Sequence, residues 1–198
     1  MINPHYFGEN IVRPFKNAIV NFVFVGGRHA LRREYQFLID AVKELAERKI
    51  DFSITLVGTT TLQIPEELQK YFICEGALNA KEVYKKIMNA DFYLMLLDPE
   101  NEKHNIYATS SSTGSAQLVY GFKKVPIIHR KFAQHYDFDD TNAIIYDGRK
   151  LADAMYEAIL MSTEKYIEKQ TNLERLAKEI YQESLSNLRD MISITEKE

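Results

Sequence analysis

The sequence predicts an α/β fold, a doubly wound parallel sheet with helices on both faces, and three observations support this fold. Short apolar runs rich in β-branched and aromatic residues alternate with longer segments whose apolar residues recur every three or four positions. Several of the runs end in glycine, which is typical of the tight turn after a buried strand. One run, Phe92–Leu97, is apolar throughout, as expected of a central strand that is covered on both sides.

The composition fits one globular domain, or one half of a larger enzyme, because 45% of the 198 residues are apolar and 27% are charged. The net charge of -3 gives no electrostatic reason to expect a nucleic-acid partner. No apolar run approaches the ~18 residues that cross a bilayer, and no signal peptide opens the chain. The single cysteine, Cys74, excludes an internal disulfide and fits a reducing compartment. We therefore expect a cytoplasmic protein, with Cys74, beside Phe72 and Ile73, buried rather than acting as a nucleophile.

Residues 1–17 contain two prolines and little periodicity, so they are expected to form a linker ahead of a domain that spans residues 18–198. Asn79 and Glu82 form the pattern of a capping box at the start of a helix. The other elements predicted in the first half are a strand and turn at Ala18–Gly27, a helix at Glu34–Arg48, a strand at Phe52–Val57 closed by Gly58, a helical turn at Pro65–Glu67 and a strand at Phe72–Cys74.

In the second half a long polar loop, Asp98–Ser112, precedes a helix at Ala116–Phe122, which Gly121 is expected to end. Ala116, Val119 and Tyr120 share one face of that helix. The remaining predicted elements are strands at Val125–Ile128 and Ala143–Tyr146, a helix at Leu151–Met161 and one or two amphipathic helices over Glu164–Ile192. In such sheets ligands bind beyond the carboxyl ends of the strands, where the strand order reverses.

A loop rich in hydroxyl groups, residues 109–115, leads into the helix Ala116–Phe122. Because the first N–H groups of a helix are free and carry partial positive charge, this junction is a candidate phosphate site. A well-capped helix without any ligand explains the same residues equally well. Arg28 follows the glycine turn after the first strand, and its guanidinium could clamp a diphosphate from the other side. Of Arg32 and Arg33, one is expected to be solvated on the first turn of a helix.

Three other activities fit the pattern poorly. A dehydrogenase would need a G-x-G-x-x-G turn after the first strand and an acid where Val57 and Gly58 end the second. A phosphoryl receiver would match Lys124 near Pro126, but the chain lacks an acidic cluster after the first strand. The pair Asp137 and Asp139 has no further ligands nearby, so no metal site is expected.

Four segments together resemble the C-terminal, donor-binding domain of GT-B-fold glycosyltransferases of the family 4 type, also called glycosyl transferases group 1. The segments are NFVFVGGRHALRREYQFLIDAV, FSITLVG, FICEGALNAKEVYKKIMNADFYLMLLDP and TSSSTGSAQLVYGFKKVPII. They occur in the family's order and with similar spacing, and they cover about residues 18–160. The resemblance implies a Rossmann-like domain that forms one half of a GT-B fold.

The resemblance also implies which residues meet the donor. The segment Glu75–Leu78 would lie near the nucleotide base. The family commonly has two glutamates eight positions apart in the last segment, whereas this chain has Gln117 or Val119 nearest the second position. No catalytic residue is therefore identified. The predicted donor-binding residues are Gly26, Gly27, Arg28, Arg32, Gly58, Thr59, Tyr107, Ser111, Ser112, Thr113, Gly114, Ser115 and Gln117.

By this resemblance the domain binds a nucleotide-diphosphate sugar, uses no separate cofactor, and serves hexosyl transfer to a saccharide or lipid-linked acceptor, as in polysaccharide biosynthesis. An N-terminal acceptor-binding domain is absent from the sequence, so the isolated domain is expected to be inactive, and any membrane association would come through that missing half. If the tail helix reaches toward that half in the parent protein, Leu173, Leu176 or Ile180 is expected to be more exposed here than in the parent. Two alternatives remain: a non-catalytic nucleotide or sugar-phosphate binding module, and a GT-B-fold sugar-nucleotide epimerase.

Overall fold

A computed structural model describes residues 18–26, 35–58 and 62–195 of the chain. Its centre is a six-stranded sheet in which every neighbouring pair is parallel, with the strand order β3-β2-β1-β4-β5-β6. The predicted doubly wound parallel sheet is therefore confirmed. The strands are β1 (Val20–Val25), β2 (Phe52–Val57), β3 (Phe72–Cys74), β4 (Phe92–Met95), β5 (Val125–His129) and β6 (Ile144–Tyr146).

Helices cover both faces of this sheet. The α-helices are α1 (Gln36–Glu47), α2 (Ala80–Asn89), α3 (Gly114–Phe122), α4 (Arg130–Ala133), α5 (Leu151–Leu160) and α6 (Thr163–Thr195). Short 3-10 helices lie at Glu66–Tyr71, Glu102–Ala108 and Gln134–Tyr136. The capping box of α2 is confirmed, since the Asn79 side chain accepts from the Glu82 N–H and the Glu82 carboxylate accepts from the Asn79 N–H.

The apolar strands divide their side chains between two cores. Phe22 of β1 and Leu94 of β4 belong to the core under α1 and α5. Val23 and Tyr93, which are adjacent to Phe22 and Leu94 in sequence, belong to the opposite core under α2, α3 and α6. Because successive side chains of a strand point to opposite faces, a strand buried on both sides must be apolar at every position. This accounts for the continuous apolar run that the sequence showed at Phe92–Leu97.

Helix α6 is a single helix that fixes the amino ends of three strands. The Tyr166 hydroxyl donates to the Asp91 carbonyl at 2.9 Å, just ahead of β4. The Lys169 ammonium donates to the Ala143 carbonyl at 2.8 Å, just ahead of β6, and the Gln170 amide donates to the Lys123 carbonyl at 3.3 Å, ahead of β5. These bonds place the first half of α6 firmly within the domain.

The expectation of greater exposure in the tail is wrong for Leu173. Leu173 is completely buried, and Leu176 and Ile180 are half-buried against the second core. The reason is that α6 passes back over the sheet and covers its α3 side. Exposed apolar side chains of α6 occur at Ile167, near its start, and farther along at Tyr181, Leu188, Met191 and Ile192.

Two other local expectations were wrong. Cys74 is exposed, because β3 is a three-residue strand at the edge of the sheet. Gly121 does not end α3 but lies within it, and the helix ends at Lys123 in a left-handed conformation with φ of 51°. The inward face of that helix is as expected, since Ala116, Val119 and Tyr120 are all buried.

Candidate functional site

The central strands β1 and β4 are neighbours in the sheet, and the strand order reverses between them. At such a reversal, the crevice beyond the carboxyl ends of the strands is the usual ligand site of an open α/β sheet. Gly26 follows β1 directly, and the long loop after β4 leads into α3. The predicted donor-binding residues Gly27, Arg28, Arg32 and Thr59, and Arg33 beside them, lie outside the described residues. The sites predicted from them stay predictions.

The glycines at the ends of β1 and β2 pack backbone against backbone. The Gly26 N–H donates to the Val57 carbonyl at 2.9 Å, and the Gly58 N–H donates to the Gly76 carbonyl at 2.7 Å. Gly58 has φ of +113°, and a Cβ added there would lie 1.8 Å from the Gly26 carbonyl oxygen. No side chain fits, so the close approach of two strand ends requires glycine at this position. Contact of Gly26 and Gly58 with a donor stays a prediction.

Helix α3 begins two residues earlier than expected, at Gly114, behind the buried cap residue Thr113. The Thr113 hydroxyl accepts from the Ser115 N–H at 3.2 Å, and the Thr113 carbonyl accepts from the Ala116 N–H at 3.0 Å. A Cβ added at Gly114 would meet no atom within 4 Å. The helix start is thus capped, yet open space adjoins its first residue.

The side chains around this helix start form a connected group. The Gln117 amide nitrogen donates to the Ser112 hydroxyl at 3.2 Å, while the Gln117 amide oxygen is buried without a hydrogen-bond partner among the described residues. The Tyr136 hydroxyl donates to the Ser111 carbonyl at 3.4 Å. The Tyr93 hydroxyl donates to the Ser115 hydroxyl at 3.4 Å. The structure therefore brings Ser111, Ser112, Ser115 and Gln117 together around the start of α3.

The polar loop before α3 is anchored rather than extended. It contains the 3-10 helix Glu102–Ala108, which the sequence pattern did not indicate. The buried His104 accepts the Asp98 N–H at Nδ1, at 2.8 Å. The Lys131 ammonium donates to the Pro99 carbonyl at 2.7 Å and to the Asn105 side chain at 2.6 Å. Tyr107, one of the predicted donor-binding residues, is half-buried against the second core. These contacts hold the loop over the carboxyl end of β5.

The segment predicted to lie near a nucleotide base contains Glu75, whose carboxylate pairs with the Lys86 ammonium, and Gly76, which has φ of 62°. Asp139 is part of a turn in which its carboxylate accepts the Thr141 N–H at 2.8 Å. Hydrogen bonds from Thr141, above all the one from its side chain, lower the pKa of Asp139.

In the part of the chain that the structure describes, no group of three or more histidine, cysteine or acidic side chains could hold a metal ion. Nor is any helix in those ranges long and apolar enough to cross a bilayer.

Comparison with known sequences gives one distant relative. No family model matches the chain. The tRNA-queuosine alpha-mannosyltransferase of Drosophila melanogaster is 23% identical over 146 residues, which cover 54% of this chain and 38% of that protein. The chain thus spans well under half the length of this relative.

Comparison with solved structures finds the same fold within larger proteins. TarM superposes with a TM-score of 0.62 at 9% identity, over 93% of this chain and 37% of that one. WaaG, a glycosyltransferase involved in lipopolysaccharide biosynthesis, superposes with a TM-score of 0.58 at 13% identity, over 89% of this chain and 50% of that one.

A third solved structure is itself a single domain. It is the C-terminal domain of LpcC, a glycosyl transferase group 1 family protein from Francisella tularensis, and it superposes with a TM-score of 0.58 at 15% identity. The superposition covers 89% of this chain and 95% of that domain, whereas the two longer structures are matched over half their length or less. This chain therefore has the fold of the C-terminal domain of GT-B glycosyltransferases.

Proposed function

We propose that this chain is the nucleotide-sugar-binding domain of a glycosyltransferase, which moves a hexose from a nucleotide-diphosphate donor to a saccharide or lipid-linked acceptor. The observation that carries the proposal is the open start of α3 at Gly114, beside the reversal of strand order, in a fold shared with glycosyltransferase domains. The exposed polar surface at this point has the chemistry that a phosphate group requires.

The start of α3 supports a diphosphate seat through its charge and its space. Aligned peptide dipoles place about half a positive charge at a helix N-terminus, which attracts an anion. The bare Gly114 lets a ligand come close to the backbone there, since no neighbouring atom occupies the direction of a side chain. In a transfer reaction the same dipole would offset the negative charge that develops on the leaving diphosphate.

Gln117 supports contact with the ribose. Its amide oxygen is a buried acceptor without a hydrogen-bond partner among the described residues, and a ribose hydroxyl is a donor of suitable size. A leftover buried acceptor costs about 1–3 kcal/mol, so a ligand that satisfies it gains that much in binding. A neutral amide would take the place of the glutamate that the family commonly has, and the ribose would then be held by a weaker, uncharged bond.

Transfer itself is expected to need a second domain. The chain spans 37% of TarM and 50% of WaaG, so half or more of the length of those proteins has no counterpart here. Alignment of an acceptor with a bound donor contributes up to about 7–11 kcal/mol in well-oriented reactions, and closing a cleft around both substrates requires two walls. We infer that this domain binds donor and that a partner domain supplies acceptor and alignment.

A thermal-shift titration with UDP, GDP, ADP and CMP tests the proposal. At least one nucleoside diphosphate is expected to stabilise the domain, by about 2.7 kcal/mol at a hundredfold excess over its Kd. Arg28→Ala should weaken this binding by about 1.5–3 kcal/mol, the range of a charge-assisted contact. Arg175→Ala, an exposed arginine on α6, serves as the control and should leave binding unchanged. If no nucleoside diphosphate stabilises the domain, the proposal is wrong. If Arg28→Ala binds the diphosphate as tightly as the wild type does, Arg28 is not part of the site.

Gly114→Val is expected to abolish nucleotide binding while leaving the melting temperature of the empty protein nearly unchanged. The physical reason is that the valine side chain would fill space next to the helix start, where it meets no protein atom. Isothermal titration calorimetry and a thermal melt measure the two effects. Ala80→Val places the same residue at the first position of α2 and is the matched control. Retained nucleotide affinity in Gly114→Val would favour a capped helix without a ligand.

A non-catalytic nucleotide-binding module is the second candidate, because neither family glutamate is present around Gln117. Both candidates bind nucleotide, so binding alone does not separate them. A product assay with labelled nucleotide sugar, run on a polypeptide that also contains an acceptor-binding domain, does separate them. Transferred or hydrolysed sugar supports the transferase, and intact donor under conditions of full binding supports the module.

A further inference from the structure

A cavity of about 610 Å³ lies at the carboxyl edge of the sheet, on the side covered by α1 and α5. Its walls are the first turns of α1, the loop of residues 98–103 after β4, and the turn between β6 and α5. Of the predicted donor-binding residues that the structure describes, none lines this cavity. It is therefore separate from the start of α3, and its volume is that of a small-molecule site.

The lining carries more negative than positive charge. Asp40, Asp98 and Glu102 line it, as do Glu100 and Arg149, which form an exposed ion pair with 2.6 Å between nitrogen and oxygen. Lys103 is the other basic residue of the described lining. Four carboxylates against two cations repel phosphate and carboxylate groups, so an anionic ligand is disfavoured here. Carboxylate oxygens instead accept hydrogen bonds from hydroxyl and ammonium groups.

Tyr146, the last residue of β6, supplies an independent sign of a ligand. It lines the cavity and is only 5% exposed, and its hydroxyl has no hydrogen-bond partner among the described residues. A buried hydroxyl without a partner costs free energy and is uncommon in folded proteins, where nearly all such groups are paired. A hydroxyl group of a ligand in this cavity is a candidate for the missing partner.

His129 repeats the pattern on the neighbouring strand. It is the register partner of Tyr146, the two rings are 5.3 Å apart and nearly perpendicular, and its Nε2 is also buried without a partner. Its Nδ1 accepts the Lys131 N–H at 3.1 Å, so in the neutral ring Nε2 carries the hydrogen and is a donor. Burial lowers the pKa of His129 and favours this neutral form. Of these two unsatisfied polar groups, the Tyr146 hydroxyl belongs to a residue that lines the acidic cavity, and His129 lies behind it on the neighbouring strand.

An aromatic side chain completes the set. Phe37 of α1 lines the cavity and is half-buried. Sugars present hydroxyls around their rings and C–H groups on their faces, so they bind where carboxylates, a free hydroxyl and an aromatic surface occur together. We propose that this cavity binds a carbohydrate without anionic groups, with ring hydroxyls held by Tyr146 and the carboxylates of Asp98 and Glu102. The proposal rests on the described lining of this cavity and does not depend on nucleotide binding at the start of α3.

Saturation-transfer NMR of the full chain with methyl glycosides of mannose, glucose and galactose tests the proposal, with glucuronic acid as the anionic counterpart. At least one methyl glycoside is expected to bind, and glucuronic acid to bind at least tenfold more weakly. Tyr146→Phe should weaken glycoside binding about five- to tenfold, as the loss of one neutral hydrogen bond predicts. It should not lower the melting temperature of the empty protein, because the hydroxyl it removes has no partner.

Tyr71→Phe, a buried tyrosine elsewhere in the same core, is the matched control and should leave binding unchanged. Glu102→Gln, at an exposed position, tests the acidic wall separately and should weaken binding several-fold without affecting folding. Absence of binding by all three glycosides would overturn the proposal. So would wild-type affinity in both Tyr146→Phe and Glu102→Gln, or equal binding of glucuronic acid.

Discussion

Gly58→Ala is expected to lower the free energy of unfolding by about 2–6 kcal/mol, the sum of about 1–3 for backbone strain and about 1–3 for overpacking. The strain arises because φ at this position is +113°, a value that side chains rarely tolerate. The overpacking arises because the new methyl group would lie 1.8 Å from the Gly26 carbonyl oxygen, which is backbone and cannot rotate away. Urea unfolding followed by circular dichroism measures the loss.

Gly76→Ala is the matched control for this substitution. Gly76 has φ of +62°, but a Cβ there would meet no atom within 4 Å. Gly76→Ala should therefore lower the free energy of unfolding through backbone strain alone, by about 1–2 kcal/mol. If Gly58→Ala were no more destabilising than Gly76→Ala, the two strand ends would not be as closely packed as described.

Lys124→Met should lower the free energy of unfolding by about 2–6 kcal/mol, because two buried carbonyls each lose a donor at about 1–3 kcal/mol. Lys124 is 2% exposed, and its ammonium donates to the Met88 carbonyl at 3.0 Å and to the Ala90 carbonyl at 2.7 Å. Methionine fills a similar volume but donates nothing. Chemical denaturation of the wild type and the variant gives the difference directly.

An exposed lysine on α6, Lys178, provides the comparison. It pairs with Glu174 one helical turn away, and Lys178→Met should change the free energy of unfolding by no more than about 0.5 kcal/mol. A Lys124→Met protein as stable as the wild type, or more so, would contradict the role given to the ammonium. In that case the free energy gained by no longer burying the ammonium charge would exceed the free energy lost with its two hydrogen bonds.

The sheet was predictable because its signal is local. The run Phe92–Leu97 is apolar at every position, and Phe52–Val57 is apolar except at Ser53 and Thr55, which is typical of strands buried on both faces. Cys74 shows where local pattern fails. The two residues before it are apolar, as in a core strand, but its exposure depends on which strand forms the edge of the sheet, and that is set by distant pairings.

The candidate sites were predictable only in part for the same reason. The residues around the start of α3 are consecutive in sequence, so a hydroxyl-rich loop ahead of a helix made Ser112 and Thr113 visible. Tyr146 and His129 each end an unremarkable apolar strand, and sequence reasoning missed both. They meet only because β5 pairs with β6 in one particular register. The available signal was a polar side chain at the carboxyl end of each strand, where ligands of such sheets bind.

Helix α6 also bears on how the protein is made. Its residues leave the ribosome after all six strands, and until they do, Leu173 and Ala177 are missing from one apolar face of the sheet. The side-chain donors that reach the carbonyls of Asp91, Lys123 and Ala143 are missing as well. A nascent chain that has released only the strands therefore presents an uncovered apolar surface, to which molecular chaperones bind. Release of about residue 177 from the ribosome, rather than completion of the sheet, is the event that closes this surface.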